Sequence, residues 1–164
     1  MSAMPEPFLP QSVGLNDTTR RPTREIAPVC ADDPSPYKRI AKGEYLARCV
    51  GQHLERVRMY GNAWKLRLDF QVLDLDENPV LCKFFHLGAG ERPQIGRKSQ
   101  YFRAWMLAHN GQLPRRGHTM SARLFLNKLF RVRVSDVRRR WDSFDHAPDA
   151  IYSTVSEILE LCLE

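Results

Sequence analysis

Trp64, Leu66, Leu68, Phe70 and Val72 alternate with Lys65, Arg67, Asp69 and Gln71, a period of two that predicts a β-strand with one face in a core and the other in water. Similar patterns flank it. Upstream, "GEYLARCVGQHLERV" predicts a strand beginning at Gly43, with Tyr45, Ala47 and Cys49 on one face and Leu46, Arg48 and Val50 on the other. Gly51 interrupts this pattern, where a bulge or sharp bend is the usual reason for a glycine. Downstream, "LDENP" at Leu75 to Pro79 leads into a third strand, Val80 to Leu87, in which Val80, Cys82, Phe84 and His86 oppose Leu81, Lys83, Phe85 and Leu87. So short a connection leaves no room for a crossover, so the second and third strands pair antiparallel.

The period then changes. Ser99 is placed to cap a helix running to about His109, with Phe102, Trp105, Met106 and His109 at helical spacing and Asn110-Gly111 as its stop. Ser121 to Phe125 predicts one helical turn, and "KLFRVRVSDV" alternates again, with Phe130, Val132 and Val134 inward and Arg131 and Arg133 outward. "TVSEILELCLE" predicts a C-terminal helix over 153–164, opened by a Thr154/Glu157 capping box and apolar along Val155, Ile158, Leu159 and Cys162. A further short strand, between Arg138 and Phe144 or near Ile151, is a weaker signal. Residues 1–36 hold seven of the eleven prolines and no periodicity, which predicts a disordered or extended arm ahead of one domain over 37–164.

Three antiparallel strands, a helix and one or two more strands are the order of a small Greek-key β-barrel of the OB type, mainly β with one helix between strands three and four and a C-terminal helix. "KGEYLARCV", the strand pair after it, and "NKLFRVRV" following a short helix are similar to OB-fold single-strand nucleic-acid-binding proteins and to uncharacterised proteins of plasmids and phages, mobile genetic elements. The resemblance implies a binding surface on strands two and three and the loops at their ends. In this chain it selects Lys65, Arg67, Lys83 and Phe85, which alternation assigns to the non-core faces.

Charge sharpens that expectation. Lys83 to Arg140 carries fourteen Lys and Arg against Glu91 and Asp136, a local +12 within a total of +6, so the remainder holds −6. From Trp141 onward there are six acids and no Lys or Arg. A basic middle of this kind points to a polyanionic partner. The expected phosphate contacts are Lys65, Arg67, Lys83, Arg131 and Arg133, with Arg97, Lys98, Arg115, Arg116, Arg138, Arg139 and Arg140 at the rim; Tyr60, Phe85 and Trp141 are expected to stack on bases, with Tyr101 a further candidate. The expected ligand is single-stranded DNA, ranked ahead of RNA, bound without chemistry. An acidic end beside a basic middle also suggests autoinhibition, tested by deleting Ala150 to Glu164.

Other chemistries find less support. The four cysteines form no CxxC and the histidines are scattered, so neither a disulfide framework nor a structural zinc is expected. No G-x-S-x-G occurs. Asp69, Asp74 and Asp76 are the best acidic group, but they fall on a wet strand face and a turn, a poor metal site. "GAGERPQIGRKS" resembles a phosphate loop only superficially: Gly90 and Gly96 enclose five residues, Arg97 precedes Lys98 and Ser99, and Pro93 removes a backbone donor. No catalytic residue, metal or cofactor is therefore expected. The rival reading is a protein-binding adaptor or inhibitor acting through the C-terminal helix or the N-terminal arm, with a nucleic-acid-processing enzyme third. No apolar run approaches the roughly 18 residues of a membrane span and no leader pattern opens the chain, so the expected location is cytoplasmic, with oligomerisation left open.

Overall fold

The computed structural model describes residues 38–58, 61–115, 119–138 and 151–163. The proline-rich arm, Tyr60, Arg116 and the segment from Arg139 through Trp141 lie outside them. Five strands, β1 (Gly43–Val57), β2 (Ala63–Val72), β3 (Val80–His86), β4 (Leu129–Val137) and β5 (Tyr152–Leu163), form one sheet in the order β3-β2-β1-β4-β5, every neighbouring pair antiparallel. One helix, α1 (Gln100–Ala108), and a 3₁₀ turn (Ala122–Phe125) separate β3 from β4.

The long first strand serves two partners. Residues 43–48 pair with β4 and residues 47–57 with β2, and the register slips between Cys49 and Gly51. At the slip Cys49 exchanges backbone hydrogen bonds with the segment just before β4, donating to Lys128 O at 3.1 Å and accepting from Asn127 N at 2.8 Å. Space favours glycine there: a Cβ on Gly51 would stand 2.9 Å from Asp69 Oδ2, so any larger residue needs that carboxylate to shift.

The inward faces carry Ala47 and Cys49 from β1, Leu66 to Val72 in alternation from β2, Phe130, Val132 and Val134 from β4, and Val155 and Ile158 from β5, all buried. Each large apolar side chain so buried contributes about 1.5–3 kcal/mol. Ser99 caps α1 by accepting the Phe102 N–H at 3.1 Å, and the helix buries Tyr101, Ala104, Trp105 and Ala108. Its inward stripe is thus turned by about one residue from the expected one, which leaves Phe102 and Met106 half-exposed. Rings run through the core from Phe85 to Tyr101, Phe125, Phe130 and Phe70, with successive centroids 5.4, 6.0, 5.8 and 6.0 Å apart.

The expected C-terminal helix is instead strand β5. Its register against β4 slips three times: Val134, Val132 and Phe130, two apart on β4, face Val155, Ile158 and Leu161, three apart on β5. Each bulge inserts one residue, so Ser156, Leu159 and Cys162 are passed over. Three bulges at a spacing of three turn a strand's period of two into apolar positions three apart, which mimics a helix face. Deleting Ala150 to Glu164 would remove a core strand, so the acidic end has to be tested by substitution.

The sheet does not close into a barrel. β3 and β5 run in the same direction at its two edges and meet through side chains: Thr154 Oγ1 donates to Cys82 O at 2.5 Å and the Lys83 ammonium donates to Ser156 O. Residues 38–40 strap the start of β5, with Ile40 N donating to Ser153 Oγ at 2.9 Å and Arg39 paired to Asp136 at 3.0 Å. Among the described residues no helix is long and apolar enough to cross a membrane.

Candidate nucleic-acid interface

On the outward face of β1, β2 and β3, cross-strand register builds rows of side chains. His53, Arg67 and Phe84 form one row, and Glu55, Lys65 and His86 the next. Phe84 is half-exposed, and Lys65 Nζ lies 4.2 Å from its ring centroid. A cation held over an aromatic face is worth roughly 0.5–1 kcal/mol at an exposed position. Beside it, Arg67 Nε stands 3.0 Å from Asp69 Oδ1, out of line for a hydrogen bond, and Nη2 donates to Oδ2 at 3.4 Å. Cys82 Sγ closes the next row on Asp69 Oδ1 at 3.2 Å. Lys65, Arg67, Phe84, His53 and His86 thus share one surface, of which the sequence reading named only the first two.

Lys83 and Phe85 do not belong to it. They project from the core side of β3: Phe85 is 3% exposed and edge-on to Tyr101, so it cannot stack on a base at the surface. Tyr101 is buried as well, its hydroxyl donating to Met120 O at 2.8 Å. Lys83 is 8% exposed and reaches the seam between β3 and β5, 5.4 Å from the Phe85 centroid. Burial lowers its pKa below the ordinary lysine value, an effect partly offset by the Glu157 carboxylate.

Arg131 and Arg133 do face outward, as expected, but each is already engaged. Arg131 Nε donates to Glu160 Oε1 at 2.7 Å; Arg133 divides its guanidinium between Glu157 at 2.8 Å and Glu44 at 3.1 Å. The hydrogen bond to Glu160 raises the Arg131 pKa further. The acids of the chain's end thus lie directly on the arginines of β4.

The remaining cations scatter. Arg97 and Lys98 are exposed on the loop before α1, which is pinned to β2 by Trp64 Nε1 donating to Gly90 O at 2.9 Å and folded on itself by Gln94 N donating to Leu87 O at 2.7 Å. Arg115 is exposed beyond α1, and Arg138 lines a shallow pocket with Arg39 and Lys42 at the far end of β4.

The acidic candidates have structural partners: Asp69 holds Arg67, and Asp74 Oδ2 accepts the Leu46 N–H at 2.6 Å. His109 caps α1, its Nδ1 2.9 Å from Gln112 O and its ring against Trp105. No three His, Cys, Asp or Glu residues cluster as a metal site among the described residues. No protein-family model matches the chain, and no curated protein matches it either.

Proposed function

We propose that the protein binds single-stranded nucleic acid, DNA ahead of RNA, on the outward face of β1, β2 and β3, and that the five strands act as an OB-like barrel left open between β3 and β5. The observation that carries this reading is the half-exposed Phe84 with Lys65 over its ring and Arg67 in its row. A base stacked on an aromatic ring gains about 1–3 kcal/mol without reading sequence, and adjacent cations hold the phosphates on either side. The strand order supports it, because in OB folds strands two and three carry the binding surface.

Fluorescence anisotropy with a labelled oligonucleotide, single-stranded against duplex and at two salt concentrations, tests the reading. Phe84→Ala is expected to weaken single-strand binding roughly 5- to 100-fold, the equivalent of one lost stack, and Lys65→Glu to weaken it and flatten its salt dependence. Absence of salt-sensitive binding by the unaltered protein would sink the proposal.

A second reading, a protein-binding adaptor, is favoured by one feature. A largely apolar trough between α1 and β5, lined by Phe102, Met106, Leu107, Ile158 and Leu159 together with Arg97, Arg103 and Glu157, holds about 460 Å³. Oligonucleotide binding lost on Phe84→Ala but untouched by Met106→Glu places function on the sheet; capture of a protein by the trough with no oligonucleotide binding favours the adaptor.

A further inference from the structure

A second, separate concentration of positive charge lies on the opposite side of β3. A cleft of about 340 Å³ opens between β3, β5 and α1, within the size range of small-molecule sites. Lys83, Arg103 and Arg133 line it, Glu157 is its one carboxylate, and Phe85 and Ile158 supply apolar wall.

Lys83 is the unusual member. Its ammonium carries three N–H donors, and among the described residues only the Ser156 carbonyl accepts from it. A lysine this buried is normally paired with an anion, yet the nearest carboxylate, Glu157, is already held by Arg133. Arg103 stands exposed on α1 at the mouth of the cleft, with no acidic partner among the described residues. Three cations and one carboxylate line the cleft; Glu157 and Glu44 both hold Arg133, so Lys83 and Arg103 are the two lining cations with no carboxylate hydrogen-bonded to them among the described residues. A phosphate monoester carries about −1.5 to −2 at neutral pH, whereas each internal phosphodiester of a nucleic-acid strand carries −1.

We propose that the cleft between β3, β5 and α1 binds a phosphate monoester, with Lys83 at its base and Arg103 and Arg133 as the flanking donors. The monoester completes the unfilled hydrogen bonds of Lys83, and the Arg guanidinium forks match its terminal oxygens. The cleft exceeds a bare phosphate, so the group carrying it enters as well. That group is either a free small molecule or the phosphorylated end of a nucleic-acid strand. The site stands independently of the outward face around Phe84, which lies on the other side of the same strand.

Calorimetric titration of the full chain at fixed ionic strength separates these sources. The titrants are inorganic phosphate, a nucleoside 5′-monophosphate, a 5′-phosphorylated oligonucleotide and the same oligonucleotide with a 5′-hydroxyl. Saturable one-to-one binding of at least one monoester is expected, weakened tenfold or more by Lys83→Met and by Arg103→Glu. Lys83→Met keeps the volume and Arg103→Glu changes an exposed helix position, so one variant reports even if the other misfolds. Binding by the monophosphate marks a small-molecule site; a gain confined to the phosphorylated oligonucleotide marks a strand-end site. No saturable binding of any monoester, or affinities unchanged in both variants, overturns the proposal. The 5′-hydroxyl oligonucleotide reports the outward face alone: its binding is expected to survive Arg103→Glu and fall in Phe84→Ala, so either site can fail without the other.

Discussion

Two adjacent phenylalanines show what alternation decides and what it leaves undecided. In "VLCKFFH" both alternating sets are largely apolar, so the pattern predicts a strand without saying which set faces in. The lysine suggests that the Lys83 and Phe85 set is wet. Packing chooses the reverse, because burying Leu81, Phe85 and Leu87 outweighs one lysine whose stem runs through the apolar layer and whose ammonium finds Ser156 O at the seam. Phe84 is therefore the exposed ring, one residue from the expected one. Gly51, by contrast, was legible from sequence, and the reason is steric. Gly51→Ala is expected to displace Asp69 from Arg67 and Cys82 and to cost about 1 kcal/mol or more, in the ordinary range for a disruptive point change, read as a lowered denaturation midpoint. Cys49 and Tyr101 give a pH signature. Burial pushes the Cys49 thiol from 9.0 up to about 12, and it raises the Tyr101 hydroxyl in the same sense. Each holds its proton in the fold after the unfolded chain has lost it, so the stability they contribute is complete below pH 9.0 and drains away as pH climbs towards 12. Lys83, lowered, has the opposite sign. Urea midpoints are expected to fall between pH 8 and pH 10.5, and Cys49→Ala to make the fall shallower.

At the level of elements, β2, β4 and α1 were readable because each keeps one period over its length, and β1 because it keeps one as far as the slip at Gly51; they also end on recognisable residues such as Gly43, Ser99 and Asn110. β5 was not, because its three bulges replace the strand period with a helical one. The misreading changes the meaning of the acids. Glu157 and Glu160 sit opposite Arg133 and Arg131 as cross-strand partners, exposed pairs that water and salt screen. Such weak pairs can yield to a stronger anion. The double substitution Glu157→Gln with Glu160→Gln is expected to leave the fold intact and to tighten oligonucleotide binding at low salt. Each arginine that then reaches a phosphate steepens the log–log salt slope by about 0.7. Unchanged affinity and slope would show that the β4 arginines take no part in binding, leaving the surface around Phe84 as the whole site.

Across the whole molecule, the +12 of the basic middle does not converge on one patch. Its described members divide between the arginines of β4, the exposed loop ends around α1 and the cleft behind β3, while the outward face of β2 adds Lys65 and Arg67 from outside that stretch. Sequence could count these charges but not sort them, because the sorting depends on which side of β3 faces in and on β5 lying against β4. The mainly β character was legible because it rests on the order of strands and helix; the C-terminal strand was not, and the site was only half legible because it rests on register.

The bulged ladder of β5 has one more consequence. In a sheet that does not close, an edge strand with regularly spaced N–H and C=O groups is a template on which a strand of another molecule can add, and repeated addition builds aggregates. Residues passed over at every third position break that spacing along β5, so a straight strand cannot stay in step with it for more than one bulge interval. The irregularity that disguises β5 as a helix in the sequence thus also protects the folded protein against growth of its sheet from one copy to the next.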